Sequence, residues 1–368
     1  MSRNFRIGAA AFCGFLSTIF FACSGGKDTP VSPGGPTTPT TMPDAAYSAA
    51  SFAPLAGEAA STANAVNNAG IFAGQASTPA FSYFRQRAFV AINGNLTKLT
   101  ELPASTYVAI GGISNGSTVY IAGAIDTVSY GLQSEITRPV RWALTPGGSI
   151  DMQLLSSDLG FAWGVNDDGD AIGIAGNNGY IWRNSGQAVV IAPPAGFTTA
   201  VGRAINNSGD AIFIFSSAGD GKSFLRMSNG DMIELGPPPG DTRAIVTALS
   251  DEVDGMIYVS GTSLTSNSTR ALRWRVNTTT RSVTRENLDP DTESQGVSNS
   301  GSQAVRAFSA AAQRNFPRLW ATDRVYALPL PQNTDASATA TSISKNGKYV
   351  VGKTSVQGVS NPVLWTAK

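Results

Sequence analysis

The chain of 368 residues carries 26 Lys and Arg against 25 Asp and Glu, and only 14% of it is charged. Such a balance lacks the basic face that a nucleic-acid binder needs, so no nucleic-acid partner is expected. Histidine is absent, which removes Ser-His-Asp catalysis, Cys-His catalysis and histidine metal sites together.

At the amino terminus Arg3 and Arg6 precede an apolar run from Ile7 to Phe21, followed by Ala22 and Cys23. The run is too short to span a bilayer and reads as an export signal over residues 1–22. Phe20-Phe21-Ala22-Cys23, with Ser24-Gly25-Gly26 after it, resembles the lipobox of bacterial lipoproteins. That resemblance implies a lipidated Cys23, attachment to a membrane through the lipid, and residence in the bacterial envelope. Ser24 lacks the acidic character associated with inner-membrane retention, so the expected destination is the outer membrane, on its periplasmic or surface side. Cys13 would leave with the signal, and the mature chain would then hold no intramolecular disulfide.

Residues 23–45 follow as SGGKDTPVSPGGPTTPTTMPDA after the cysteine, rich in Pro, Thr and Gly and poor in large apolar side chains. A segment of this composition cannot bury a core and is expected to be an extended tether. At about 3.1 Å per residue in polyproline geometry it reaches roughly 60 to 70 Å. The folded domain is expected over 46–368.

That domain repeats one phrase seven times: a small residue, then Val, Ile or Leu, then Asn or Ser, then a turn closed by Gly. The aliphatic member falls at Val66, Ile113, Val165, Ile205, Leu249, Val297 and Ile343, a spacing that belongs to a repeat architecture. The regular turns NNAG, NDDG, NNSG, SNSG and SKNG suit a type I turn closed by a left-handed Gly. Runs such as TVYIAG, AIFIF, MIYVSG and KYVVGK come next and are apolar on both faces, as strands between two packed neighbours would be. A third strand ends in Trp142, Trp182, Trp274, Trp320 or Trp365, with Phe89 and Phe224 near that slot in the first and fourth copies. The repeated Trp reads as packing between units. A fourth strand with a Leu-like anchor completes each unit.

Four strands per unit and seven units predict an all-β, seven-bladed β-propeller of about 46 residues per blade. The last unit stops at Lys368 without a fourth strand, while SAASFAPLAG, Ser48 to Gly57, precedes the first phrase as the fourth strands precede the later ones. Donation of that segment to the last unit would close the ring and remove its open edge.

The combined phrase, roughly Ala-x-x-Ile-Asn-x-x-Gly-x-x-x-Gly with an Ala-Phe-x-Trp strand and a Gly-x-x-x-x-Leu strand, resembles the HAF family of probable extracellular repeats across residues 47–368. The resemblance implies a secreted propeller-like protein without specifying an activity. The His that gives the family its name is replaced here by Arg87, Arg138, Asn178, Lys222, Arg270, Phe316 and Asn361.

Local chemical motifs reduce to turns when placed on the repeat. Asn166-Asp167-Asp168-Gly169-Asp170 looks like part of a calcium loop but lacks the distal acid such loops use. SSAGDGKS from Ser216 ends like a phosphate loop, with Ser where the first Gly belongs. Ser342-Ile343-Ser344-Lys345 spells a Ser-x-x-Lys motif that works on a helix, whereas here it crosses a strand end. No cofactor and no metal is called for, and no pair of acids is nominated for catalysis.

Binding is expected on loops between the second and third strands, where sequence varies most. The candidates are Phe81, Tyr83, Phe84, Arg85 and Arg87 in the first unit and Tyr130 and Arg138 in the second, aromatics beside arginines that suit a protein or glycan partner. The expected function is a non-catalytic binding or scaffolding module. The alternative is a propeller enzyme acting on an envelope or extracellular carbohydrate.

Overall fold

A computed structural model describes residues 44–78, 85–103, 105–126, 137–218, 220–322, 324–331, 337–356 and 359–368. The expected signal, Cys23 and most of the tether lie outside these residues, as do Phe81, Tyr83, Phe84, Tyr130 and the side chain of Arg85. Among the described residues there is no helix, and seven four-stranded antiparallel sheets account for the fold. Blades 1 to 6 span residues 60–98, 108–154, 160–191, 199–234, 243–290 and 292–327, each with its strands paired in chain order. Blade 7 combines three strands within 337–367 with Tyr47–Ser51 as its fourth.

The first strand of each blade touches the first strand of the next, and that of blade 7 returns to that of blade 1. The sheets therefore form a seven-bladed β-propeller with first strands around the axis. Closure follows the expected route: Tyr47 pairs with Ala367, Ala49 with Trp365 and Ser51 with Val363, antiparallel. The paired segment is shorter than the sequence suggests. After Ser51 the chain turns away, because Pro54 cannot donate to a ladder and Gly57 adopts a left-handed φ of 84°. Phe52 instead meets Phe72 at 5.4 Å between ring centroids, and Leu55 is buried, so this stretch seals blade 7 onto blade 1.

The repeated phrase has a geometric cause. In all seven first strands the register shifts just before the small residue, between Ala63 and Ala65 in blade 1 and Ala340 and Ser342 in blade 7. Each shift is a β-bulge, which adds twist where the strand meets the axis. The small residue then allows neighbouring backbones to approach. A Cβ added to Gly112 would lie 3.1 Å from the Cα of Gly164, and one added to Gly164 the same distance from the Cα of Ala204.

Packing between blades uses the predicted aromatic slot. Trp142, Trp274 and Trp365 are fully buried, and each donates its indole N–H to the connection entering its own blade: to the carbonyl of Thr100 at 2.7 Å, Gly236 at 3.0 Å and Pro329 at 2.7 Å. Burial of such side chains is the main apolar contribution to each interface. The second strands are buried on both faces, as Val119–Asp126 and Ala211–Ser217 show.

The up-and-down topology gives the ring two ends. The turns joining first to second and third to fourth strands share one end, the turn face. The second-to-third connections and the inter-blade segments share the other, the connection face.

Candidate binding face and axial channel

On the turn face the polar residues of the phrase bind the ring together. Where the first is Asn, its side-chain oxygen accepts backbone N–H groups of its own turn. Asn67 accepts from Ala69 and Ile71, and Asn206 from Ser208 and Asp210. The amide nitrogen reaches the next blade: Asn67 donates to the carbonyl of Ser114 at 3.0 Å, Asn166 to that of Asn206 at 3.2 Å and Asn206 to that of Ser250 at 3.3 Å. Ser has a shorter reach, and Ser114, Ser250 and Ser344 accept only from Tyr120, Tyr258 and Tyr349 in their own blades.

The following residue forms a closed circuit. The backbone N–H of Asn68 donates to Oδ1 of Asn115, that of Asn115 to Asp167, that of Asp167 to Asn207, that of Asn207 to Asp251 and that of Asp251 to Asn299, at 2.6 to 3.1 Å. Asn299 N–H donates to the carbonyl of Lys345 at 2.7 Å, and Asn346 N–H returns to Oδ1 of Asn68 at 2.8 Å. Five of the seven links use a side chain 40 to 52 positions further on, the link from blade 6 to blade 7 is between backbones, and Asn346 closes the ring on the side chain of Asn68. The calcium-like turn of blade 3 is absorbed here: Asp167 serves the circuit, and Asp170 pairs with Arg183 at 2.6 Å and accepts from Asn184 N–H at 2.8 Å. Aromatic lids reinforce the circuit. A Cβ on the left-handed Gly169 would meet the Tyr120 ring at 2.8 Å, and one on Gly301 the Tyr258 ring at 2.7 Å.

Lys345 breaks the Asx pattern of the circuit. Its ammonium leaves blade 7 and donates to the carbonyl of Leu249 in blade 5, with Asp251 and Asp167 as the charges acting on it. Burial holds it below the ordinary lysine pKa, opposed by those two carboxylates. A side chain running from blade 7 to blade 5 past an acid of blade 3 crosses the axis. The space between the first strands is thus crossed by Lys345 at the turn face, and its part towards the connection face is termed the axial well.

The residues left unpaired by the seven bulges are Asn64, Gly111, Trp163, Arg203, Thr247, Gln295 and Thr341. All are partly reached by solvent on strands that otherwise face neighbouring blades. Thr341 donates to the carbonyl of Ala63 at 2.6 Å, and Thr247 meets Ser260 at 2.9 Å. Trp163 and Arg203 are different. The Arg203 guanidinium lies over the Trp163 ring at 4.1 Å from its centroid, and burial pushes its pKa down to about 10. Their absence from the repeat pattern is the one sequence signal: this column varies inside an otherwise regular phrase.

On the connection face, Arg87 is buried and joined to Glu101, which Lys98 also reaches at 2.9 Å. Arg87 therefore braces the segment entering blade 2 rather than presenting a free guanidinium. These three residues line a recess of about 430 Å³ with Thr100 and Ser105. Nearby, Asp126 accepts from the hydroxyls of Ser105 and Thr106 at 2.6 Å each and from the N–H groups of Thr106 at 2.9 Å and Tyr107 at 3.1 Å. Arg138 is half-buried at the equivalent strand start in blade 2, and its Nε has no hydrogen-bond partner. Among the described residues no group of three or more acids or cysteines is placed to hold a metal.

Comparison with solved structures confirms the architecture. A catalytically inactive virginiamycin B lyase from Staphylococcus aureus, solved with quinupristin, aligns at a TM-score of 0.55 and 12% identity over 87% of this chain and 99% of that one. A streptogramin B lyase aligns at 0.52 and 11%, over 86% and 97%. The propeller domain of the Trilobed protease from Pyrococcus furiosus aligns at 0.54 and 7%, over 85% and 95%. That domain is described as having an open velcro topology, whereas here the termini pair. No protein-family model and no curated protein matches this sequence. At these identities the likeness defines the fold class, a β-propeller, and not an activity.

Proposed function

We propose that this protein is a lipid-anchored propeller of the bacterial envelope, of the HAF-type repeat class, that acts as a non-catalytic binding or scaffolding module. The observation that carries the proposal is the asymmetry of the ring: one end is locked by a repeating circuit, and the other carries irregular connections around the mouth of a well. Rigid scaffolds with variable loops are suited to recognition. The lipobox-like stretch at Cys23 and the tether behind it support display from a membrane, with a protein or glycan as partner. The proposed contacts are the sequence-derived candidates Phe81, Tyr83, Phe84, Arg85, Tyr130 and Arg138, of which Arg138 starts the third strand of blade 2.

Two measurements test the proposal. Acylation with several chains gives stable attachment where a single chain is marginal. Cys23→Ala is therefore expected to abolish labelling by a fatty-acid analogue and release the protein from membranes; unchanged labelling and fractionation would refute the anchor. Once a partner is identified on a glycan array or by envelope capture, Tyr83→Ala and Phe84→Ala are expected to weaken binding by about 2 kcal/mol or more at an unchanged melting temperature. Full affinity in both variants would refute that surface.

A further inference from the structure

Arg203 combines a close aromatic contact with the lack of any polar partner among the described residues. On the first strand of blade 3, Phe161 and Trp163 stack with centroids 3.9 Å apart and planes 20° from parallel. Arg203, on the first strand of blade 4, covers Trp163 at 4.1 Å. The contact with the stacked pair restrains the guanidinium. Among the described residues Arg203 makes no ion pair and no hydrogen bond, and its Nε is a buried donor without a partner. The indole Nε1 of Trp163 is a second unpartnered buried donor in the same stack.

Arg138 and Arg243 also have a buried Nε without a partner, but among the described residues neither lies over an aromatic ring. Arg87 is held by Glu101, Arg273 by Glu286 and the carbonyl of Gly301, and Arg306 by Glu293. An enclosed charge with no counter-charge is costly, and cation–π contact offsets only part of that cost. A guanidinium restrained against an aromatic ring keeps a fork suited to paired contact with a carboxylate, sulfate or phosphate. It stands on a first strand, one of the seven that line the axial well.

We propose that the Phe161, Trp163 and Arg203 stack is an oxyanion-binding site in the axial well, taking the carboxylate, sulfate or phosphate group of a ligand that enters from the connection face. The inference rests on the binding role proposed above and names the ligand chemistry of its well. Arg203 supplies the charge and the fork, Trp163 fixes its plane and offers an indole N–H, and Phe161 fixes Trp163.

The test uses the full chain purified in detergent and titrated at constant ionic strength with glucuronate, sulfate and inorganic phosphate, with glucose as the neutral probe. Melting temperature and tryptophan fluorescence are followed together. Wild type is expected to give a saturable response to at least one oxyanion and none to glucose, and the strongest of the three identifies the group. Arg203→Gln is expected to weaken that response about tenfold or more, the loss of a charge-assisted contact. Arg203→Lys, which keeps the charge without the fork, and Trp163→Phe, which keeps the platform without the indole N–H, are expected to bind more weakly than wild type and serve if the Gln variant does not fold. No saturable response to any oxyanion, or equal responses in wild type and the Arg203 variants, would overturn the site. An envelope partner captured equally by wild type and Arg203→Gln would leave the binding role standing and remove the well as its seat.

Discussion

The turn face and the connection face are opposite ends of the same strands, yet they differ in how closely the seven blades repeat. At the turn face each blade presents a small residue, a polar pair and a hairpin; small residues let neighbouring backbones approach, and the turn that holds the polar pair bonds to the next blade. At the connection face the segments differ in length and chemistry, and stabilising contacts are particular to one blade, such as the four-residue network around Asp126 and the ion pair of Arg87. Repetition marks the end that does structural work around the whole circle. Irregularity marks the end that is free of that constraint.

The comparison can be broken most severely at the seam. Deleting residues 46–51 removes the fourth strand of blade 7 and the buried Tyr47, whose hydroxyl donates to the carbonyl of Gly347. A loss of more than about 3 kcal/mol is expected, since emptying one buried aromatic site costs that much alone. Denaturant unfolding should also lose its single cooperative transition. An intact transition at the wild-type midpoint would show that the ring does not depend on closure. Trp274→Ala comes next: the side chain is fully buried and its N–H is bonded to Gly236, so about 3 to 5 kcal/mol is expected.

Within the circuit the effects are smaller and more telling. Asn299→Ala removes the acceptor for Asp251 N–H and the donor to its carboxylate, and about 1 to 2 kcal/mol should be lost. The control on the opposite end is Leu159→Ser, where the side chain is 47% exposed and a change within about 0.5 kcal/mol is expected. Equal effects at the two sites would erase the distinction between the faces.

The smallest expected effect concerns pH. Burial lowers the pKa of Lys345 in the folded state, so the unfolded chain binds more protons between that lowered value and the ordinary lysine value near 10.5. Stability from this group therefore rises as pH climbs through that window. The stability of wild type relative to Lys345→Met should increase over the same range. A flat or falling difference would contradict an enclosed ammonium at the axis.

Much of this architecture was legible because packing repeats. The spacing of Val66, Ile113 and their equivalents gave the blade count, the terminal Trp of the third strands gave the interfaces, and the missing strand after Trp365 pointed to the amino-terminal seam. The end of the closing strand was less legible, since Phe52 and Leu55 look like strand residues until their contacts with blade 1 are seen. The circuit was hidden for a different reason. Asn68, Asn115 and Asp167 read as turn residues within one hairpin, and only the ring places each side chain against the next blade. Lys345 and Arg203 were hidden because each is a single departure from its column, and a departure acquires meaning only when the axis brings distant strands together. The loop candidates Phe81, Tyr83, Phe84 and Tyr130 lie outside the described residues.

The measurement that bears most directly on the contrast between the faces is native-state amide hydrogen exchange. The seven N–H groups of Asn68, Asn115, Asp167, Asn207, Asp251, Asn299 and Asn346 donate around one closed circuit although they sit in surface turns. They are expected to exchange slowly and together, near the free energy of global opening, while amides of the second-to-third connections exchange by local motion. Rapid exchange of the turn amides, at the rates of the opposite loops, would contradict a locked turn face.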